Sequence, residues 1–270
     1  MRIDHVAFGW DDLDPVLAAL EAVGLAHDYG GTHADGTTHM ALTGFEDGSY
    51  LEYVAPTPGT DSDDAGFWPE ALGARAGPAA WAVRVDDIVA EAKRAIEAGV
   101  AIEGPLHGGR DRPDGRRVEW DQLFERVDSS EPWLLPFPIT DRTPREWRVS
   151  PTDGVTALSG IDTVVLGVDD VDEAVALFDR RYRIPSPVEV DTDAVDGTAA
   201  VVPGAPVAFV EAGDGRLASV GERPAAVLLR TDDLPTARTA YELTPTVAWG
   251  RRKLAWFDHE VLRGRVGVVA

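Results

Sequence analysis

Four times in 270 residues the chain repeats one junction: a short apolar run, two aspartates, and an apolar residue that opens a helical pattern. The copies are Val6-Ala7-Phe8-Gly9-Trp10-Asp11-Asp12-Leu13, Trp81-Ala82-Val83-Arg84-Val85-Asp86-Asp87-Ile88, Val164-Val165-Leu166-Gly167-Val168-Asp169-Asp170-Val171 and Val227-Leu228-Leu229-Arg230-Thr231-Asp232-Asp233-Leu234. Four copies of a junction imply four copies of one supersecondary unit, and an internal repeat constrains the fold more than any local signal. Each apolar run reads as a strand, and an aspartate just ahead of a periodic segment reads as a helix N-cap rather than a catalytic acid. Behind the pairs, Leu13, Val16, Leu17 and Leu20 share a helical face, as do Ile88, Ala92, Ala95 and Ile96, and then Val171, Ala174, Val175 and Phe178.

Further strands follow each helix. Thr37 to Thr43 and Ser49 to Ala55 flank the turn Glu46-Asp47-Gly48, which predicts a hairpin. Equivalent arms are Arg116 to Val127 with Trp133 to Ile139, Ala199 to Val202 with Val207 to Ala212, and Leu254 to Val261 with Arg265 to Val269. Each unit is therefore β-α-β-β-β, in an α+β protein.

Spacing shows how the units pair. Asp11 and Asp169 are 158 positions apart, and Asp86 and Asp232 are 146 apart. Units one and three share Ile3-Asp4 and Ile161-Asp162, whereas units two and four share Arg84 and Arg230. A two-unit module is duplicated once, with the join between Thr143 and Thr156. The expected domains are 1–148 (units 1–76 and 77–148) and 156–270 (units 157–220 and 221–270), each of roughly 130 residues and large enough for its own core.

Forty-seven acidic residues against 25 basic ones give a formal charge of −22, spread over loops and helix starts. Such a surface resembles that of a protein from a salt-accumulating halophile, and it is a poor match for nucleic acid, whose binding depends on neutralising phosphates. There is no cysteine, hence no disulfide framework or thiolate metal site. No apolar run approaches the length a bilayer needs and nothing resembles a signal peptide, so the expected setting is cytoplasmic, without a membrane partner. Edges on four similar sheets leave a homodimer open.

With the units paired, the opening Ile3-Asp4-His5-Val6, the later Tyr50-Leu51-Glu52-Tyr53, and Gly31-Thr32-His33, Gly36-Thr37 and Leu135-Pro136-Phe137 resemble the glyoxalase-like proteins of the vicinal oxygen chelate superfamily, the glyoxalase and extradiol dioxygenase fold. The resemblance covers the first domain and, more weakly, the second. It implies two glyoxalase-like domains of curved mixed sheets, each a cup of two units. It also implies metal ligands from the first and last strands of a unit, here His5 and Glu52. Imidazole and carboxylate suit zinc, iron, manganese or nickel, and such an ion acts as a Lewis acid on vicinal oxygens. Glu52 lies between Leu51 and Tyr53 and should point away from both. His39, where the family has an amide, is the candidate third ligand or proton shuttle if it faces the cup.

Unit two departs from the pattern, with Ala80 in the place of His5 and no acid matching Glu52. It supplies cations instead, in the Arg-dense segment Gly108 to Arg117. Arg110 is a candidate for clamping an anionic group, Arg116 or Arg117 for orienting the substrate, and Arg84 with Trp81 and Trp120 for a wall. His33 and Asp35, flanked by glycines, read as loop residues at the rim. Trp68, Trp133 and Trp147 read as packing. In the second half Thr163 replaces His5, Glu211 is matched to Glu52, and His259 has no evident partner, which makes that half structural. The implied function is a divalent-metal-dependent lyase, isomerase or dioxygenase acting on a small oxygenated, anionic substrate. The alternative is a metal-free small-molecule-binding protein of the bleomycin-resistance type; an assembly or regulatory role ranks third.

Overall fold

The computed structural model describes residues 1–65, 72, 77–126, 134–195, 197–211 and 222–270. Each junction is a strand running into a helix capped by the second aspartate. The Asp12 carboxylate accepts from the Asp14 N–H, Asp87 from Val89 and Ala90, Asp170 from Glu173, and Asp233 from Thr236. A carboxylate there satisfies first-turn donors and sits at the favourable end of the helix dipole.

Unit one is β1 (Ile3–Gly9), α1 (Leu13–Val23), β2 (Asp28–His33), β3 (Thr38–Gly44) and β4 (Tyr50–Pro56). Unit two is β5 (Gly77–Arg84), α2 (Ile88–Glu97), β6 (Ala101–Asp111), β7 (Arg117–Arg126) and β8 (Phe137–Asp141), followed by a helical turn, α3 (Arg145–Arg148). Unit three is β9 (Gly160–Val168), α4 (Val171–Tyr182), β10 (Val188–Thr192), β11 (Gly197–Val201) and β12 (Val207–Glu211). Unit four is β13 (Arg223–Arg230), α5 (Leu234–Ala240), β14 (Val247–Trp249), β15 (Arg252–Trp256) and β16 (Val266–Val269). Trp68, Val127, Trp133 and Ala212, placed in strands or packing from the sequence, lie outside the described residues.

In every unit the first strand pairs parallel with the last, and the remaining strands follow antiparallel. Units one and two close into a barrel of order β1-β4-β3-β2-β6-β7-β8-β5. Units three and four repeat that order as an eight-stranded sheet that stays open between β10 and β14. This is an α+β, two-domain vicinal oxygen chelate fold. Closure of the first sheet depends on the eleven-residue β6, whose end pairs with β2 through Thr32–Asp111 and His33–Arg110. The Arg-dense segment is thus the tip of the β6–β7 hairpin, with Gly115 left-handed in its turn. In the second sheet β10 and β14 have only five and three residues and do not pair.

The two sheets share one hydrophobic core, in which the Trp81 ring stacks on Phe178 at 6.3 Å. Ile96, expected on the buried face of α2, is instead 61% exposed, and Glu91 takes a buried place on that helix. The reason is an ion cluster across the domain boundary. Arg181 of α4 donates to Glu91 at 2.6 Å and to Glu125 of β7 at 2.8 Å, and the Tyr182 hydroxyl donates to Glu125 at 3.1 Å. Removing the cation leaves, among the described residues, buried Glu125 with only the Tyr182 hydroxyl and Glu91 with only Arg94, so Arg181→Met should lower unfolding stability by about 3 kcal/mol. Urea titration checks this; a change below about 1 kcal/mol would show that the cluster does not couple the domains. Among the described residues, no helix is long and apolar enough to cross a membrane.

Candidate functional site

The barrel interior is packed at one end by Ala7, Met40, Leu42, Val54, Val118 and Phe124. Beyond them lies a cavity of about 260 Å3. Successive strand residues face opposite sides, so positions two apart share the interior. His5 pairs with Tyr50 and Ala7 with Glu52 in the β1–β4 register, which brings His5, Tyr50 and Glu52 to the same wall. His5 Nε2 lies 3.4 Å from Glu52 Oε2, and the ring stacks on Tyr50 at 4.7 Å.

His39 stands elsewhere. Thr38, Met40 and Leu42 of β3 point into the barrel, so the intervening His39 points out of it and does not line the cavity. Its ring meets Tyr29 edge-on at 6.0 Å, and burial lowers its pKa against the pull of Asp12 and Asp14 at the start of α1. The histidine that does reach Glu52 is His33, whose Nε2 lies 3.5 Å from Oε1 and whose Nδ1 is 2.7 Å from Thr38 Oγ1. A bulge in β2 between Tyr29 and Gly31 turns it inward. Gly31 has φ of +103°, and a Cβ there would meet the Asp111 carbonyl at 2.4 Å, so only glycine allows β6 to close on this bulge. The signal was present in Gly30-Gly31-Thr32-His33, but a bulge cannot be read from glycines alone.

Behind the cavity, His5 Nδ1 is 2.8 Å from Asp4 Oδ1. Asp4 is fully buried; burial would raise its pKa, but Arg148, His5 and Arg145 hold the carboxyl well below the usual carboxylate range. An ionised Asp4 accepts a hydrogen bond from the Nδ1–H and leaves Nε2 to face the cavity. Arg84 is part of this support rather than a cavity wall, donating to Asp4 at 3.2 Å and to the Gly48 carbonyl at 2.8 Å.

Three guanidinium groups line the cavity, and Arg110 among them acts on the Glu52 charge. Arg110, nearly buried, donates to the carbonyls of Gly30 and Arg148. Arg148, which the sequence reading missed, bonds the Tyr50 hydroxyl at 3.1 Å and Asp141 at 3.0 Å, with its guanidinium 4.7 Å from the Trp120 ring centre. Arg117, half in solvent, pairs with Asp111 at 3.2 Å. Trp120 lines the cavity and donates from Nε1 to Gln122 at 2.9 Å. Arg116 does not line it; its guanidinium sits 5.5 Å over the Trp147 ring, which is 36% exposed rather than packed.

Burial would raise the Glu52 carboxyl, but a hydrogen bond from His33 and the charges of His5, His33 and Arg110 outweigh it and hold the pKa at about 2. Glu52 is ionised across the neutral range. A carboxylate depressed from 4.5 to about 2 stabilises the fold fully above pH 4.5, and that stability is lost as pH falls through 2. About 3 kcal/mol should disappear across that window. The difference in urea midpoint between wild type and Glu52→Gln, followed from pH 6 to pH 2, measures it; a constant difference would refute it.

The donor set of two imidazoles and a carboxylate, with His5 oriented by Asp4, has the chemistry of a divalent-ion site. The histidines face different oxygens of Glu52, however, and among the described residues no group of three or more His, Cys, Asp and Glu side chains stands ready to hold a metal ion.

The β5–β8 register places Ala80 and Phe137 of unit two where unit one has His5 and Glu52. The Phe137 ring packs edge-on to His5 at 5.4 Å, so this unit supplies apolar wall instead of ligands. In unit three, Val165 pairs with Ala208 as Ala7 pairs with Glu52. Ala208, not Glu211, therefore occupies the position of Glu52; Glu211 pairs with Val168 and is exposed. Thr163 and Pro206 replace His5 and Tyr50, leaving no acid–imidazole pair there.

A family model for a glyoxalase-like domain matches residues 3–181, more than half of the chain. The chain belongs to that glyoxalase-like family. The matched span takes in the whole barrel and runs through β9 into α4. No curated protein matches the sequence. Among solved structures, a hypothetical protein from Staphylococcus aureus is 14% identical with a TM-score of 0.66, covering 99% of this chain and 98% of its own. A xylose isomerase-like TIM barrel/4-hydroxyphenylpyruvate dioxygenase fusion protein is 14% identical with a TM-score of 0.58; it covers 99% of this chain, which spans 48% of its length. At these identities the likeness is one of fold.

Proposed function

We propose that this glyoxalase-like protein is a divalent-metal-assisted enzyme acting on a small oxygenated anion, with its reaction centre at His5, His33 and Glu52. The observation that carries this reading is the approach of two imidazole Nε2 atoms, at 3.4 and 3.5 Å, to the two oxygens of one buried carboxylate. Zinc, iron, manganese or nickel held by these three side chains would act as a Lewis acid on a substrate carbonyl or enolate. A carboxyl at about pKa 2 is a weak base and a ready ligand, which assigns Glu52 to holding charge. Arg110 and Arg117 orient the anionic end of the substrate, and the Tyr50 hydroxyl, which accepts from Arg148, has its own proton to donate. Lyase, isomerase and dioxygenase reactions all fit this arrangement.

The metal-free reading, binding without turnover, is favoured by the apolar Ala80 and Phe137 and by the lack of a ready three-donor group among the described residues. Titration calorimetry with oxalate, an inert mimic of an enolate with vicinal oxygens, separates the two. Chelator-treated protein should bind oxalate only weakly, manganese should tighten binding at least ~10-fold, and Arg117→Ala should reverse part of the gain. Equal affinity with and without manganese would favour the metal-free reading.

A further inference from the structure

The open seam of the second sheet is a cavity. Thr192 donates to the Ala248 carbonyl at 2.5 Å, tying β10 to β14 by a side chain, and no strand ladder joins the two. The resulting hollow, of about 680 Å3, lies within the size range of small-molecule sites and is separate from the barrel cavity. Val188, Val190, Pro206 and Trp249 form an apolar wall, and Val188 is 54% exposed although apolar. Four arginines stand around it, Arg2, Arg230, Arg251 and Arg252, against two acids, Asp47 and Asp162. Asp162 is engaged by Arg252 at 2.7 and 3.0 Å and accepts from Thr163 at 2.7 Å. Arg251 remains exposed at the rim.

A net positive hollow is conspicuous on a chain of formal charge −22 with only 25 basic residues. Excess guanidinium selects an anion, and the valine, proline and tryptophan wall selects an apolar body. We propose that the second domain, which has lost the His5 and Glu52 equivalents, carries a ligand site of its own for a monocarboxylate with an aliphatic or aromatic body. The features that read as decay, a short β10 and β14 and an unclosed seam, form the pocket.

Titration calorimetry at fixed ionic strength with octanoate, 1-octanol and octylamine tests this. Octanoate should bind one equivalent with a Kd on the order of 1 mM or tighter, the range open to a ligand of that size. Octanol and octylamine should bind at least ~10-fold more weakly. Arg251→Glu and Val188→Glu, both at exposed positions, should each weaken octanoate at least ~10-fold while leaving thermal unfolding unchanged, and Arg117→Ala in the barrel cavity should leave it unaltered. No binding at millimolar octanoate, equal binding of octanol, or loss of binding in Arg117→Ala instead of Arg251→Glu would overturn the assignment.

Discussion

Asp4→Asn should lower unfolding stability by about 3–5 kcal/mol and disarm the site as well. Asp4 is buried at the centre of three guanidinium groups, with Arg145 at 2.7 Å, Arg84 at 3.2 Å and Arg148 at 3.4 Å, and it also holds His5 at 2.8 Å. Asparagine keeps the shape and removes the only charge common to all four contacts, leaving the cations to repel one another in a poorly solvated interior. The amide also cannot hold His5 as a carboxylate does, and loss of such an orienting partner typically weakens metal affinity or activity 10–100-fold. Urea titration measures the first effect. Asp141→Asn is the control: Asp141 touches Arg145 and Arg148 but is partly exposed, so its loss should be the smaller. Equal losses would show that Asp4 is no more than one surface charge among many.

Glu52→Gln should leave the fold intact at neutral pH and reduce divalent-ion affinity and turnover by at least ~100-fold, the upper end of what loss of an orienting partner alone can cause. Of the two acids among the described residues that line the cavity, Asp35 and Glu52, it is Glu52 that lies within reach of both His5 and His33. The isosteric amide keeps the volume of the side chain but forfeits the roughly 3 kcal/mol that the ionised carboxylate contributes at neutral pH, so affinity and turnover are compared at a temperature where both proteins are fully folded. An affinity within about threefold of wild type would mean that the ligand-holding group lies elsewhere.

How far these residues could be found beforehand depends on what a sequence encodes locally. The N-cap role of Asp12, Asp87, Asp170 and Asp233 is local, since a carboxylate needs only the next turn of its own chain, and the repeat of that signal sufficed for the four units and their pairing. His5 and Glu52 sit on adjacent parallel strands whose alternation is regular, and the expectation that they share a wall matches their 3.4 Å separation. His39 and His33 depend on more. Which residues of β3 face inward is fixed by pairing with β4, and the turn of His33 is fixed by a bulge that exists because β6 closes against Gly31. Glu211 shows the same limit: Phe209-Val210-Glu211 resembles Tyr50-Leu51-Glu52, but the β9–β12 register is offset by three residues, and an odd offset moves a side chain to the opposite face. Arg148 was hidden for another reason, since a buried arginine is recognised by the acids, hydroxyls and rings that surround it across the barrel.

Cobalt(II) titration of the chelator-treated protein, read by its visible absorption, tests the central claim most directly. Wild type should take up one equivalent, Glu52→Gln, His5→Ala and His33→Ala should each abolish the signal, and His39→Ala should leave it unchanged. A protein that takes up no cobalt, or one in which His39→Ala removes the signal and His33→Ala does not, would contradict the assignment of the reaction centre to His5, His33 and Glu52.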